Sequence, residues 1–220
     1  VQNCKGSFVF CELGAGYGRW SIRAYHAAKK FGIKDVKLIT IEPDKFHSKW
    51  LLENMQLNGI PESSIFHFDC AISDFEGESE FYTALPGHMG SDENAAREWY
   101  GQALSSSDRT FPGAKTEKIS VSRLETIIRK VGVDKIDIVD MDIQGEEPKV
   151  LNDSMALLKR IGKFHIGTNS SEDAANINKI FSRSGGFKKI REYPPLTTYK
   201  TRYGSIQFTD GVLTYKNRKF

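Results

Sequence analysis

The chain has 220 residues, with 31 Lys and Arg against 28 Asp and Glu, a formal net charge of +3. Apolar residues make up 39% and charged residues 27%, which excludes a disordered or low-complexity chain and allows one domain over 1–220 with a real core. The cations are scattered, so no nucleic-acid partner is expected, and no apolar run reaches membrane-spanning length.

The first element is a strand over Ser7–Cys11, apolar and rich in Phe and Val. Glu12 ends it, and Gly14, Ala15, Gly16, Tyr17 and Gly18 form a glycine turn before a helix over Arg19–Phe31. Strand, glycine turn and helix make the first half of a nucleotide-binding βαβ unit. The spacing is G-x-G-x-G, and Arg19 stands where a dinucleotide fingerprint has its third glycine. An acid before the turn repels a pyrophosphate. It suits a cationic ligand such as S-adenosylmethionine (SAM), which carries a sulfonium and an ammonium.

A second strand, Val36–Ile41, ends at Glu42, Pro43 and Asp44. An acid at this place binds ribose hydroxyls, which points to Glu42, while Asp44 fits a helix N-cap. The helix over Phe46–Asn58 offers Phe46, Trp50, Leu51 and Leu57 for packing and stops at Gly59. A third strand spans Ile65–Ile72, with Asp69 near its end, placed to accept from an adenine amino group, and Cys70 beside it. His67 has no evident partner and reads as structural. Cys4, Cys11 and Cys70 have neither disulfide nor zinc spacing; buried reduced thiols in a cytoplasmic protein are expected, and no metal site.

A short strand at Glu80–Thr83 leads into residues 85–114, where periodicity fails among Pro, Gly and Ser. So long an irregular stretch reads as a lid or acceptor-binding insertion. A strand at Lys118–Ser122 and a helix at Leu124–Val131 follow. The fourth core strand runs through Asp134–Asp142, where period-two alternation puts Asp140 and Asp142 on one face. Close carboxylates raise each other's pKa and can act as a general base or hold a divalent cation. A helix over Glu147–Leu158, a strand over Lys163–Thr168, a helix over Ala174–Ser184 and a closing strand pair, Phe187–Tyr193 with Ser205–Tyr215, complete the chain. The alternation predicts an α/β sandwich with a mostly parallel sheet, helices on both faces and a β-rich C-terminal end.

These pieces, in order, resemble the FkbM family of SAM-dependent methyltransferases. The resemblance rests on Glu12–Trp20, Ile41–Asp44, Asn54 and Asn58, Ala71–Asp74 with Gly77, Met141–Glu147, His165–Thr168 and Asp210-Gly211. It implies a Rossmann-like class I methyltransferase fold, SAM as cofactor, and transfer to a hydroxyl of a saccharide or another small natural product. Glu12, Gly14, Ala15, Gly16 and Gly18 are then expected around SAM, with Glu42, Pro43, Asp69, Cys70 and Asp142. Asp142 is the expected base, tuned by Asp140, with His165 the distant second choice. Many relatives have Lys in place of Asp140, and some have His in place of Asn169. A nucleotide-dependent oxidoreductase and a non-catalytic SAM-fold binding module are the competing readings. The oligomeric state is not fixed by the sequence.

Overall fold

The structure is a computed structural model that describes residues 6–84, 103, 104 and 115–220. Cys4 and most of the 85–114 insertion lie outside the described residues. Strand β1 (Ser7–Leu13) feeds α1 (Arg19–Lys30), and β2 (Asp35–Ile41) feeds α2 (Lys45–Leu57). Then come β3 (Ile65–Phe68), β4 (Ala71–Ser73), β5 (Gly77–Ala84), β6 (Lys115–Arg123), α3 (Leu124–Val131) and β7 (Ile136–Met141). The last part holds α4 (Glu147–Asp153), α5 (Met155–Leu158), β8 (Ile161–Thr168) and α6 (Ser171–Ser184). It closes with β9 (Phe187–Tyr193), β10 (Thr197–Thr201), β11 (Gly204–Phe208) and β12 (Gly211–Asn217).

The main sheet has seven strands in the order β3-β2-β1-β7-β8-β12-β9. Its first five strands pair in parallel, whereas β12 is antiparallel to both β8 and β9. Alternation along β1 shows why both faces are covered. Val9, Cys11 and Leu13 point into one core with residues of α3 to α6, while Phe8 and Phe10 join a second core with α1 and α2. A parallel sheet buried on both faces needs such near-continuous apolar strands. In α1 the buried residues are Ser21, Tyr25 and Ala28, one helical stripe. Asp44 caps α2 as expected, accepting from the backbone N–H groups of Phe46 and His47 at 2.8 and 3.0 Å.

Four expectations need correction. The third strand is not continuous. Asp69 and Cys70 turn the chain, so β3 stays in the main sheet while β4 joins β6 and β5 in a separate three-stranded sheet. The helix after β7 breaks at Ser154, whose carbonyl accepts from Leu157 and Leu158 and so starts a new turn. The closing strands are β9 and β12, because Thr209 and Asp210 interrupt the second expected strand. Its first part pairs instead with β10 as a hairpin of its own. On α2, Leu51 and Met55 carry the packing, whereas Leu57 is 83% exposed and Phe46 41% exposed.

Candidate active site

Chain connectivity reverses direction between β1 and β7, and ligands of open α/β sheets bind at the carboxyl ends of strands at such a reversal. A cleft of about 590 Å³ opens there. Its floor holds Glu12, Gly14, Ala15 and Gly16 from the glycine turn, Glu42 and Pro43 from the end of β2, and Asp140 and Asp142 from the end of β7. Cys70, Ile72, Phe81 and Leu104 supply an apolar wall. Leu104 bridges to Phe81, and Tyr82 donates to the Ala103 carbonyl at 2.9 Å. These two residues of the 85–114 stretch therefore reach the cleft.

The turn is drawn tight by backbone hydrogen bonds. Gly14 and Ala15 both donate to the Ile41 carbonyl at 3.0 Å, and Asp142 donates to the Leu13 carbonyl at 3.0 Å. Gly14 has a φ of +73°, and a Cβ there would run into the Asp142 carbonyl oxygen. Gly18 also has a φ of +73°, and its Cβ would lie 3.0 Å from Leu51. These glycines are demanded by the backbone itself.

Glu42 is 5% exposed and ties the two strand ends together. It accepts from the backbone of Gly16 at 2.7 Å and of Asp44 at 2.9 Å, one bond on each carboxylate oxygen. Each oxygen retains acceptor capacity for a hydroxyl. Glu42→Ala is therefore expected to weaken SAM binding by about 1–3 kcal/mol. Titration calorimetry checks this, and unchanged affinity would remove Glu42 from the cofactor site.

Glu12 has a second role that spacing alone does not reveal. Gly18, the N-cap of α1, has no side chain to offer. Glu12 takes that place, accepting from the N–H of Ser21 at 2.9 Å, from Trp20 at 3.4 Å and from the Ser21 hydroxyl. A carboxylate at a helix N-terminus also meets the positive end of the helix dipole. Strand register extends the pattern sideways: His67, Thr40, Glu12, Asp140, His165 and Thr214 are successive partners across six strands. This polar rung crosses a sheet that is otherwise largely apolar. Thr40 meets His67 at 3.0 Å, and His165 meets Thr214 at 3.3 Å.

Two acids of the rung are adjacent, and the physical consequence is large. Burial pushes Glu12 up to about 8, opposed by its Ser21 bond and reinforced by Asp140. Burial, then Asp142, pushes Asp140 up to about 7, with Arg19 pulling the other way. Burial also raises Glu147 to about 7, against the backbone N–H bonds it accepts, those of Ile143 and Gly145 among them. Asp142 lines the cleft; desolvation and then Asp210 shift it upward, and Gln144 and Arg19 oppose. His165 is lowered by burial and by Lys163.

A carboxyl with a raised folded pKa holds more protons folded than unfolded, so stability falls as pH rises through the window. His165 acts in the opposite sense, but only below its unfolded value of 6.5. The expected result is a melting temperature that falls from about pH 4.5, the unfolded carboxyl value, and levels off above about pH 8, once Glu12, Asp140 and Glu147 have lost their protons. Calorimetric scans across that range, repeated on Glu12→Gln, test it. The variant should show a shallower slope, and a flat or rising wild-type curve would contradict the assignment.

Several expected residues stand apart. Asp69 is not on the cleft wall; its side chain is 64% exposed and pairs with His67 at 3.1 Å. That contact and Thr40 give His67 its partners. His165 lies beside Asp140 in register but off the cleft lining. Its ring meets that of Trp20 edge-on, with centroids 6.3 Å apart. Cys11 and Cys70 are buried free thiols; burial raises both, Cys70 to about 11. Among the described residues no group of acids, His and Cys could hold a metal ion, and no helix is long and apolar enough to cross a membrane. A more open depression of about 850 Å³ lies between α4 and α6, lined by residues such as Asp74, Lys149 and Arg183. It contains none of the predicted site residues.

Sequence reasoning missed Arg19, Trp20, Phe81, Leu104, Gln144, Glu146 and Asp210 as cleft residues. Arg19, Trp20, Gln144, Glu146 and Asp210 stand within the quoted motifs, which was the available signal. Phe81 and Leu104 gave none.

The donor set fits SAM. Acids dominate the floor, as a cationic ligand requires, Glu42 is free to accept further bonds, and the apolar wall suits a purine. Residues 12–189 match the family described as the methyltransferase FkbM domain. Among curated proteins no sequence matches. The methyltransferase FkbM of Methylobacillus flagellatus superposes with a TM-score of 0.60 at 16% identity, over 97% of this chain and 45% of that one. This chain thus spans less than half the length of that protein. Precorrin-6y C5,15-methyltransferase of Geobacter metallireducens gives 0.52 at 7% identity, over 98% and 82%. TrmK of M. capricolum, solved with S-adenosyl-homocysteine, gives 0.50 at 10% identity, over 100% and 66%. At such identities these likenesses show the fold. The domain match covers most of the chain, and with this Rossmann-like sheet the chain belongs to the FkbM family of methyltransferases, whose cofactor is SAM.

Proposed function

We propose that the chain methylates a hydroxyl oxygen of a saccharide or a similar small natural product. The observation that carries this reading is the acid pair at the end of β7, with Asp142 open to the cleft and Asp140 buried behind it. SAM, when bound, supplies an electrophilic methyl group. The remaining work belongs to the chain: to orient the acceptor, exclude water and take up the hydroxyl proton. Glu12, the Gly14–Gly18 turn and Glu42 would hold the cofactor. Asp142 accepts the proton, and Asp140 keeps a second carboxyl close, so the pair titrates as a unit. His165 is the weaker base candidate, since it sits off the cleft lining and is paired with Thr214. Ala103 and Leu104, the described residues of the 85–114 stretch, stand on the cleft wall, which supports reading that stretch as an acceptor-binding insertion. Buried reduced thiols suit a cytoplasmic setting.

The test is a transfer assay with methyl-labelled SAM against neutral oligosaccharides, phenolic glycosides and total RNA. The expected product is a sugar bearing a base-stable O-methyl ether. Label recovered only on nitrogen, or only in RNA, would overturn the reading.

A further inference from the structure

Gln144 has a φ of 55°, one of two non-glycine residues with positive φ among those described. A side chain in this left-handed region is strained, and glycine is the usual solution. Gly145 follows directly with a φ of 97°, so the turn already uses glycine where only the backbone matters. The turn is clamped from below by Glu147, fully buried, which accepts from Ile143 at 2.8 Å and from Gly145 at 2.7 Å. Strain of this kind persists where the surroundings over-determine it, and it collects at functional sites.

The side chain shows what the strain holds in place. Its amide nitrogen donates to Asp142 Oδ1 at 3.1 Å, and its amide oxygen accepts from Asn169 Nδ2 at 3.2 Å. Asn169 thereby fixes which end of the Gln144 amide faces Asp142. Gly167, on β8, leaves room for the same carboxylate: a Cβ there would lie 3.1 Å from Oδ1. Among the described residues no hydrogen bond falls on Oδ2. One oxygen is therefore anchored and the other left for the acceptor.

We propose that Gln144 is a positioning residue, which Asn169 orients and which in turn fixes the Asp142 carboxylate for proton uptake. This rests on the reading of Asp142 as proton acceptor. The charged groups that face Asp142 are Asp140 on β7, Asp210 before β12, Arg19 on α1 and Glu147 on α4. None of them is altered by the changes below.

The experiment follows the ¹³C carboxyl shift of Asp142 against pH in the wild type, Gln144→Gly and Asn169→Ala, with melting temperatures for each. Gln144→Gly removes the strain together with the donor. Its melting temperature should hold or rise, while the Asp142 midpoint moves up, because a donor to the ionised form is lost. Asn169→Ala can no longer donate to the amide oxygen and adds no charge, so the Gln144 amide is no longer held with its nitrogen towards Asp142 and the midpoint should again rise. With an acceptor in hand, both variants should turn over about tenfold more slowly, with the acid limb of the rate profile shifted the same way. A merely structural Gln144 would lower the melting temperature and leave the midpoint unmoved, which overturns the proposal. Should Gln144→Gly fold poorly, Asn169→Ala decides alone. Full turnover by Asp142→Asn would overturn the base assignment instead, without touching the titration result.

Discussion

Gly14→Ala should be the most damaging small substitution in the chain, with a cost of about 2–6 kcal/mol in stability. Two terms add. An L-residue at a φ of +73° costs about 1–3 kcal/mol. Overpacking against the Asp142 carbonyl costs about 1–3 kcal/mol more, because the obstruction is backbone and cannot swing away. The turn would have to move off the end of β7, breaking the bond from Asp142 to the Leu13 carbonyl. Gly132 provides the control. It sits at the C-terminus of α3 with a φ of +71°, and a Cβ there meets nothing within 4 Å. Gly132→Ala should show only the backbone term. Urea denaturation of both variants separates the two contributions, and equal losses would mean that the close approach of β1 and β7 carries no energy.

Asp142→Asn should lower turnover about 10²- to 10⁴-fold, the usual weight of a general base, while SAM affinity stays near normal. Asparagine keeps the shape and can still accept from Gln144, but it cannot take up a proton. Asp140→Asn should do less, since that carboxyl acts through the pair. Its removal takes away a neighbouring charge and so eases ionisation of Asp142. Activity of the wild type should rise with pH as the pair loses its protons and level off above about 7, the value to which burial and Asp142 push Asp140. Single-turnover rates across pH, with and without a chelator, give the answer. Loss of wild-type activity on chelation, restored by Mg²⁺, would instead assign the acid pair to a divalent cation. Wild-type rates in Asp142→Asn would place the chemistry elsewhere.

Much of the site was legible because its parts are local in the chain. Glu12 and three alternating glycines announce a tight turn at the end of a strand. Glu42 and Asp44 lie two residues apart, and their separate roles follow from strand end and helix start. Asp140 and Asp142 share a face because strands alternate with period two. Each inference needs only a few neighbouring residues and one known geometry. The same locality explains the failures. The third strand looked continuous through Ile72, but the chain turns at Asp69, whose carboxylate pairs with His67.

The sequence by itself determined the alternating α/β order, the glycine turn, the acids at three strand ends and the family. Only the tertiary structure decided how these meet. It set β12 between β8 and β9, which brings Asp210 close enough to Asp142 to shift its titration. It aligned Thr40, Glu12, Asp140 and His165 in one rung, and it turned Glu12 into the cap of α1. The physical reason is that strand register and helix docking are fixed by contacts between residues far apart in sequence. Burial, and with it the raised titration of Glu12, Asp140 and Asp142, follows from those contacts rather than from any local pattern.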